Sequence, residues 1–399
     1  MSLRLTRLTL TDFRNYAMLS WQPRARISVL FGPNGSGKTN LLEAISLLLP
    51  GRGLRRARVV DLARRGPGAT GSWAVVGRFT TPSGPATVAT GTLPDGPPDR
   101  RVFRLDGATP ASQAELGARL AAAWVTPQME RLFLEPASGR RRFLDQLVFA
   151  LDPAHGREVA AYERAMAQRN RLLAQNRQGA RLDPHWLAGL EDAMARHAVA
   201  VTAGRVSLAQ RLNAALAEGA AAPFPAASVR VLCPIAERLT QAPALAVEDW
   251  LRETLARSRA NDAAAGSARF GAHRTDMMLA DAVTGLAAAD ASSGQQKALL
   301  LGTVLGHAAV IASARGFAPL LLLDEPTVHL DADHRNALFR VLQRLTAQVL
   351  LTGTDAETFL PLAGLADTHG TEFAGEPAEG LCTGDGRLTP DPRFPLQTP

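Results

Sequence analysis

Apolar and polar residues alternate at the start of the chain. Leu3, Leu5, Leu8 and Leu10 mark extended backbone, and Ile27 to Phe31 is a short apolar run that opens into glycine-rich sequence. The spacing predicts a helix over residues 38–49, stopped by Pro50 and Gly51. Between Ser72 and Leu105 a β-type alternation is broken by Gly and Pro clusters, which predicts hairpins or a meander.

The period changes near Pro153. Val159, Tyr162, Met166 and Leu173 recur at helical spacing, and so do Leu187, Leu190, Met194, Ala198, Val201, Leu208 and Leu212 after a break at Gln178 to Pro184. Two helices joined by a short polar loop form an antiparallel hairpin. The second, at roughly 30 residues, spans about 45 Å, which is an arm or lobe and not part of a small α/β core. A strand at Ser228 to Leu232 and a helix at Val247 to Ser258 follow, and the α/β pattern returns from Gly266. Pro319 to Leu323 reads as a buried parallel strand ending in two acids, and Gln348 to Leu351 as another. Four prolines after Leu388 predict a loose tail.

Composition narrows the class. The chain has 399 residues, 46% hydrophobic and 20% charged, so a sizeable core forms and global disorder is excluded. Lys+Arg exceeds Asp+Glu by 44 − 37 = 7, a weak pointer to a polyanion partner. Only two of those cations are lysines, Lys38 and Lys297, and both fall inside motifs. Cys233 and Cys382 have no paired spacing, which argues against a disulfide framework or a cysteine zinc site and for a reducing compartment. No apolar run reaches the roughly 18 residues of a membrane span, and Met1 to Tyr16 lacks a signal peptide's apolar stretch. A cytoplasmic location is the expectation.

Three motifs carry the chemistry. Gly32-Pro33-Asn34-Gly35-Ser36-Gly37-Lys38-Thr39 fits the phosphate-loop pattern, between an apolar strand and a helix. Its backbone N–H groups cradle phosphates, Lys38 neutralises the β- and γ-phosphates, and the Thr39 hydroxyl holds Mg²⁺. Asp324, at the end of the second apolar strand, suits the metal's shell, and Glu325 suits polarisation of the attacking water. Ser292-Ser293-Gly294-Gln295-Gln296 precedes a long apolar helix and forms either an anion site or a plain helix cap. Lys297, one turn in, supports phosphate binding or is a solvated charge; the residues alone leave both open.

A phosphate loop, a helical insertion, S-x-G-Q, Asp324-Glu325-Pro326 and His329-Leu330-Asp331 is the order seen in ABC-type ATPases. Short serine-led signatures belong to their SMC and Rad50 branch. Asp12 to Tyr16, Phe31 to Ile45, Arg140 to Asp145, Gly271 to Asp276 and Ser292 to Gln296 further resemble the bacterial RecF recombination mediators, over about residues 1–355. The resemblance implies an α/β ABC-ATPase head of mixed and parallel sheets with an inserted helical lobe. The expected division is 1–128 and 263–388 for the head, 129–262 for the lobe and 389–399 for a flexible tail. It places Arg14 and Asn15 near the phosphates, extends the nucleotide contacts through Asn40, and puts Gln128 at the metal as a Q-loop. Ser292, Gly294 and Gln295 meet the γ-phosphate of a partner's ATP, and His329-Leu330-Asp331 crosses the dimer interface. Where transporter relatives carry a switch His, Thr352-Gly353-Thr354-Asp355 stands here. Threonine carries no proton as imidazole does, which predicts slow hydrolysis.

The implied function is an ATP-dependent homodimer on double-stranded DNA at single-strand gaps and junctions. It would act with RecR and RecO to favour RecA loading in repair, replication restart and the SOS response. Arg52, Arg55, Arg56, Arg58, Arg64 and Arg65 are the candidate DNA contacts, with a solvated basic face as the plain alternative. Arg140 to Arg142 is followed by Phe143, Leu144 and Asp145, which suggests ion-pair roles. A transporter-coupling ATPase and another SMC-like ATPase are the competing readings; a long arm with basic clusters disfavours the first, and a lobe of only about 110 residues the second. His273 with Asp276 is the nearest thing to a second metal motif, and a structural hydrogen bond is favoured there.

Overall fold

In the computed structural model, residues 3–179, 181, 183–363 and 378–394 are described, and they divide into two compact units. The first contains 1–130, 215–226 and 291–399, the second 131–214 and 227–290. It opens with β1 (Arg4–Phe13) and β2 (Tyr16–Trp21), antiparallel across a turn at Arg14-Asn15. The buried strand β3 (Ile27–Phe31) leads through the glycine loop to helix α1 (Lys38–Leu47). The predicted meander is β4 (Ala74–Thr81), β5 (Gly84–Gly91) and β6 (Val102–Leu105); with β1 and β2 it makes an antiparallel sheet ordered β2-β1-β4-β5-β6. Helix α2 (Gln113–Arg119) and strand β7 (Ala122–Val125) complete this stretch.

The second unit begins with α3 (Ala137–Leu151) and contains the helical hairpin, α4 (His155–Arg177) and most of α5 (Pro184–Ala217). Then come β8 (Ala227–Leu232), α6 (Pro234–Leu239), α7 (Ala244–Ala265) and β9 (Asp276–Asp281). Tyr162, Met194, Ala198, Leu251 and Leu255 lie in its core. Within that core Arg169, fully buried, binds Glu191, Asp262 and the Leu255 carbonyl, so a desolvated charge is matched from three directions and fixes helix register. Strand β9 pairs antiparallel with β8. Residues 263–290 therefore belong with the helical lobe and not, as the sequence predicts, with the head.

The chain re-enters the first unit with α8 (Ser293–Arg315), β10 (Leu320–Leu323), α9 (Ala332–Arg344), β11 (Val349–Gly353), β12 (Glu379–Gly384) and β13 (Arg387–Pro390). Its second sheet runs β13-β12-β3-β11-β10-β7, parallel from β12 to β7. Helix α1 touches β1 and β4 of one sheet and β11 of the other. The Gln348 amide exchanges two hydrogen bonds with the Leu5 backbone, at 2.7 and 3.2 Å, a second tie between the sheets. By length and composition α8 is apolar enough to cross a membrane, but most of it is buried within this unit as its core helix. The expected loose tail is ordered at its start. Thr389 and Pro390 lie in β13, paired with β12, and Phe394 is buried and stacked on Phe31; the rest of the tail lies outside the described residues.

Candidate nucleotide site

Parallel pairing brings the carboxyl ends of four strands to one edge, where α/β sheets bind ligands. Leu323 of β10 is in register with Val125 of β7 and Leu351 of β11, and Gly353 of β11 with Phe31 of β3. The glycine loop follows β3, Asp324 follows β10, Thr352 lies in β11, and Gln128 follows β7 on a short turn, Pro127–Arg131.

Gly32, Gly35 and Gly37 all have positive φ, the geometry a phosphate-binding loop requires and side chains resist. A Cβ at Gly37 would lie 2.6 Å from the Tyr16 hydroxyl, and one at Gly32 would lie 2.7 Å from the Thr383 carbonyl. The loop is braced from the β1–β2 turn. Asn15 donates to Ser36 O (3.1 Å), Tyr16 to Gly37 O (3.1 Å), and Asn40 to Asn15 Oδ1 (2.8 Å). On the β12 side, Ser36 and Thr383 share a hydroxyl contact of 2.5 Å. The buried Lys38 ammonium folds back onto Gly32 O (2.7 Å) and Pro33 O (3.0 Å). Burial pushes its pKa down, opposed by the charges of Glu325 and Asp324. Pro33, Asn34 and Gly35 are exposed at the loop's crest.

Thr39 and Thr352 both donate to Oδ1 of Asp324, each at 2.8 Å. Asp324 is buried, which raises its pKa, while the two hydroxyls pull it back. A hydroxyl and a carboxylate oxygen converging beside a lysine and a helix N-terminus are a donor set that fits Mg²⁺ with a nucleotide phosphate. Glu325 is half-buried, with left-handed backbone (φ 49°), and its N–H donates to Thr352 Oγ1 at 2.8 Å. Thr352 is thus buried and engaged with both acids, not free at the site's edge; Thr354 is the exposed threonine there.

Several sequence expectations change. The Arg14 guanidinium grips Glu43 of α1 with two bonds of 2.8 Å and the Asp61 carbonyl with a third, so it braces the helix that follows the loop. Gln128 is exposed and, among the described residues, makes no hydrogen bond to Thr39 or Asp324. Ser292 and Gln295 form a reciprocal capping box at the exposed start of α8. Lys297 is neither solvated nor placed at the phosphate loop: it is buried, and its ammonium meets Glu130, Glu325 O and Val328 O.

The arginines divide by partner. Arg64 is held by Asp12 (2.7 Å) and Pro67 O, a structural pair that removes it from the candidate DNA contacts. Arg55 donates to Asn40 and lies 3.8 Å from Glu43. Arg58 and Arg65 both pair with Asp61 yet stay about four-fifths exposed, and Arg52 and Arg56 are exposed. In the second unit Arg140 pairs with Asp276, as an ion-pair role predicts, whereas Arg141 donates to the Thr275 carbonyl and Asp145 pairs with Arg205. His273 bonds Tyr162 and the Ala268 carbonyl, not Asp276; burial lowers its pKa. No cluster of metal-ligating side chains occurs among the described residues. Sequence reasoning gave no role to Glu43, Glu130 or Thr383: Glu43 lies in the Phe31 to Ile45 segment but beyond its phosphate-loop pattern, and the other two lie in no motif.

A family model described as the RecF/RecN/SMC N terminal domain matches residues 4–368. The chain is 44% identical over 374 residues to the DNA replication and repair protein RecF of Mesorhizobium japonicum, covering 92% of this chain and 97% of that one. It is 40% identical to the protein of that description from Rhizobium johnstonii, over 96% and 98% of the two chains. Among solved structures, the recombination mediator protein RecF-ATP in the RecFOR pathway aligns with a TM-score of 0.79 at 19% identity over 98% of each chain. The Smc head domain of Pyrococcus furiosus aligns at 0.52 and 14%, over 98% and 96%. These two likenesses speak to the fold, an ABC-type head with a helical insert, while the sequence matches decide the family. The chain belongs to the RecF family of DNA replication and repair proteins, within the RecF/RecN/SMC group of ATPases.

Proposed function

We propose that this chain is an ATP-gated DNA switch, a recombination mediator of the RecFOR type that pairs with a second copy when ATP is bound. The observation that carries the reading is the convergence of Lys38, Thr39, Asp324 and Glu325 at one sheet edge, while Ser292 to Gln295 cap only themselves at the exposed start of α8. Each chain thus holds a cradle and, separately, a helix N-terminus suited to an anion. A second chain's Ser292, Gly294 and Gln295 complete the first chain's cradle, and symmetry gives two such sites per dimer.

Bound ATP supplies the anhydride to be cleaved, and Mg²⁺ would supply charge that neutralises its phosphates. The backbone of Gly32 to Asn40 orients the phosphates, and Lys38 meets their charge from within the loop. Thr39 and Asp324 would hold the metal, with Gln128, exposed on the turn after β7, as the further candidate. Glu325 takes a proton from the attacking water as the water oxygen bonds the γ-phosphorus and ADP leaves with the bridging oxygen. With threonine, not histidine, at the end of β11, hydrolysis is slow and serves to reset the dimer.

Arg52, Arg56, Arg58 and Arg65 supply exposed guanidinium groups for the phosphate backbone of duplex DNA, without base readout. By family resemblance the partners are RecR, RecO and, through them, RecA at gaps and junctions in the cytoplasm. The test is DNA binding to duplex, single-strand and gapped substrates with ATP, ADP and no nucleotide, alongside light scattering. ATP-specific dimers that bind duplex or junction DNA support the reading. Nucleotide-independent binding by a monomer overturns it.

A further inference from the structure

In the second unit the segment between α7 and β9, Gly266 to Thr275, is pinned along its inner side. The Ala268 N–H donates to Asn170 Oδ1 at 3.1 Å and the Arg269 N–H to Asp262 Oδ1 at 3.0 Å. A neutral His273 donates from Nε2 to the Ala268 carbonyl at 2.9 Å, so its Nδ1 accepts the Tyr162 hydroxyl at 2.5 Å. That hydroxyl fits only because residue 271 is glycine, since a Cβ there would collide with it. Arg205 and Arg141 hold the Ala272 and Thr275 carbonyls at 2.7 and 2.9 Å. Against this fixed backbone Arg269, Phe270 and Arg274 are exposed. Phe270 is 39% exposed, the one phenylalanine more than a third exposed among the described residues. Arg274 reaches back to the Ala268 carbonyl at 3.3 Å, which brings its guanidinium to the peptide bond that enters Arg269. Among the described residues neither Arg269 nor Arg274 pairs with a carboxylate, whereas Arg140 nearby is neutralised by Asp276.

We propose that this loop is a subsite for single-stranded DNA, in which one unpaired base stacks on Phe270 while Arg269 and Arg274 meet the neighbouring phosphates. An aromatic ring offers its face to any base, and guanidinium groups bind phosphate oxygens bidentately, so the pair recognises a strand without reading its sequence. Charge alone attracts duplex and single strand alike. The ring discriminates, because a base inside a duplex is already stacked on its neighbours and has no free face to give. The hydrogen bonds beneath the loop fix its backbone in advance, so little ordering is lost on binding. The subsite rests on the proposed function for its DNA. It adds what the exposed arginines of the first unit do not supply, a contact with the unpaired part of a gap or junction.

The test measures the full-length chain, with and without a non-hydrolysable ATP analogue, by fluorescence anisotropy on three labelled DNAs: a duplex, that duplex with a thymidine tail, and that duplex with an abasic tail of equal phosphate number. Wild type should bind the thymidine tail about 5- to 150-fold more tightly than the abasic one. Phe270→Leu should lose that preference and keep its duplex affinity, and Phe270→Trp should retain the preference. Arg269→Gln and Arg274→Gln should each lower the slope of log affinity for the tailed DNA against log salt by about 0.7. The abasic comparison is made on wild type, so it decides the matter even where a variant fails to fold. Equal affinity of wild type for the two tails overturns the subsite. So does a folded Phe270→Leu that keeps the preference, because the base contact then lies elsewhere. Wild type whose duplex binding ignores the nucleotide fails the proposed function, while a ring-dependent tail preference still supports the subsite. ATP-dependent duplex binding with no tail preference fails the subsite alone.

Discussion

Thr352 stands between the two acids that follow β10: its hydroxyl donates to Asp324 Oδ1 at 2.8 Å and accepts the Glu325 N–H at 2.8 Å. Burial raises the Asp324 pKa, and this hydroxyl opposes the rise together with the Thr39 hydroxyl and the charge of Arg55. Thr352→Val removes it, so the carboxyl protonates at higher pH. The acid limb of a pH–ATPase profile should move to higher pH in the variant. The sign for stability is opposite. A carboxyl whose folded pKa exceeds its unfolded value binds the proton more tightly when folded, so stability falls as pH rises through that window. Melting temperature against pH should therefore improve on the acid side where activity is lost.

Lys38→Met removes the ammonium that sits on the Gly32 and Pro33 carbonyls of the glycine loop. Loss of ATP binding and of the ATP-induced dimer is expected. Glu325→Gln keeps the shape of the site but cannot take a proton, and should give a persistent ATP dimer. Size-exclusion chromatography with ATP reads both, and a monomeric Glu325→Gln chain contradicts the scheme.

Gly37→Ala places a methyl group 2.6 Å from the Tyr16 hydroxyl, at a φ of 108° that side chains rarely adopt. Strain of about 1–2 kcal/mol is expected from the backbone alone. The brace from Asn15 and Tyr16 must also shift, which opens the cradle. Thermal melts should show the strain, and titration with an ATP analogue a larger loss. Gly35→Ala, with open space around its Cβ, carries only the backbone cost.

Arg64 and Arg65 are neighbours with opposite expected phenotypes. Arg64→Ala breaks a partly buried pair with Asp12 and should cost about 1–3 kcal/mol of stability, read by denaturant unfolding. The partner Asp12 carboxyl is held below its usual range mainly by Arg64, so that stability is present at neutral pH and lost as pH falls through the depressed pKa. Arg65→Ala should leave stability unchanged. It should lower the slope of log affinity for duplex DNA against log salt by about 0.9 if the residue meets one phosphate. An unchanged slope removes Arg65 from the DNA surface.

The elements around the site were legible because their signals are local. Gly32 to Thr39 sits between β3 and α1 as predicted, and Asp324 and Glu325 end a buried strand. The helical hairpin matches its periodicity, with α5 reaching 34 residues. The side chains that hold the site were less legible. Resemblance alone places Arg14 near the phosphates, and only the fold shows its bonds to Glu43; Lys297 reads as either of two things, neither of which it is. An arginine's role depends on which carboxylate arrives from another element, and the chain's spacing does not report that.

The amino-acid order alone determined where phosphates would be cradled, which acids follow which strand, and that a long helical insertion separates the two parts of the head. Those features follow from short-range sterics and periodicity: glycine's access to positive φ, the helix and strand repeats, and the stop at Pro50. Tertiary structure decided what burial and long-range pairing control. It placed residues 263–290 with the lobe through the β8–β9 pair and made a strand of Arg387 to Pro390. It withdrew Arg64 into an ion pair and buried Lys297 against two backbone carbonyls. A buried charge must find its partners wherever the fold brings them, and here they come from segments 28 to 167 residues away in the chain.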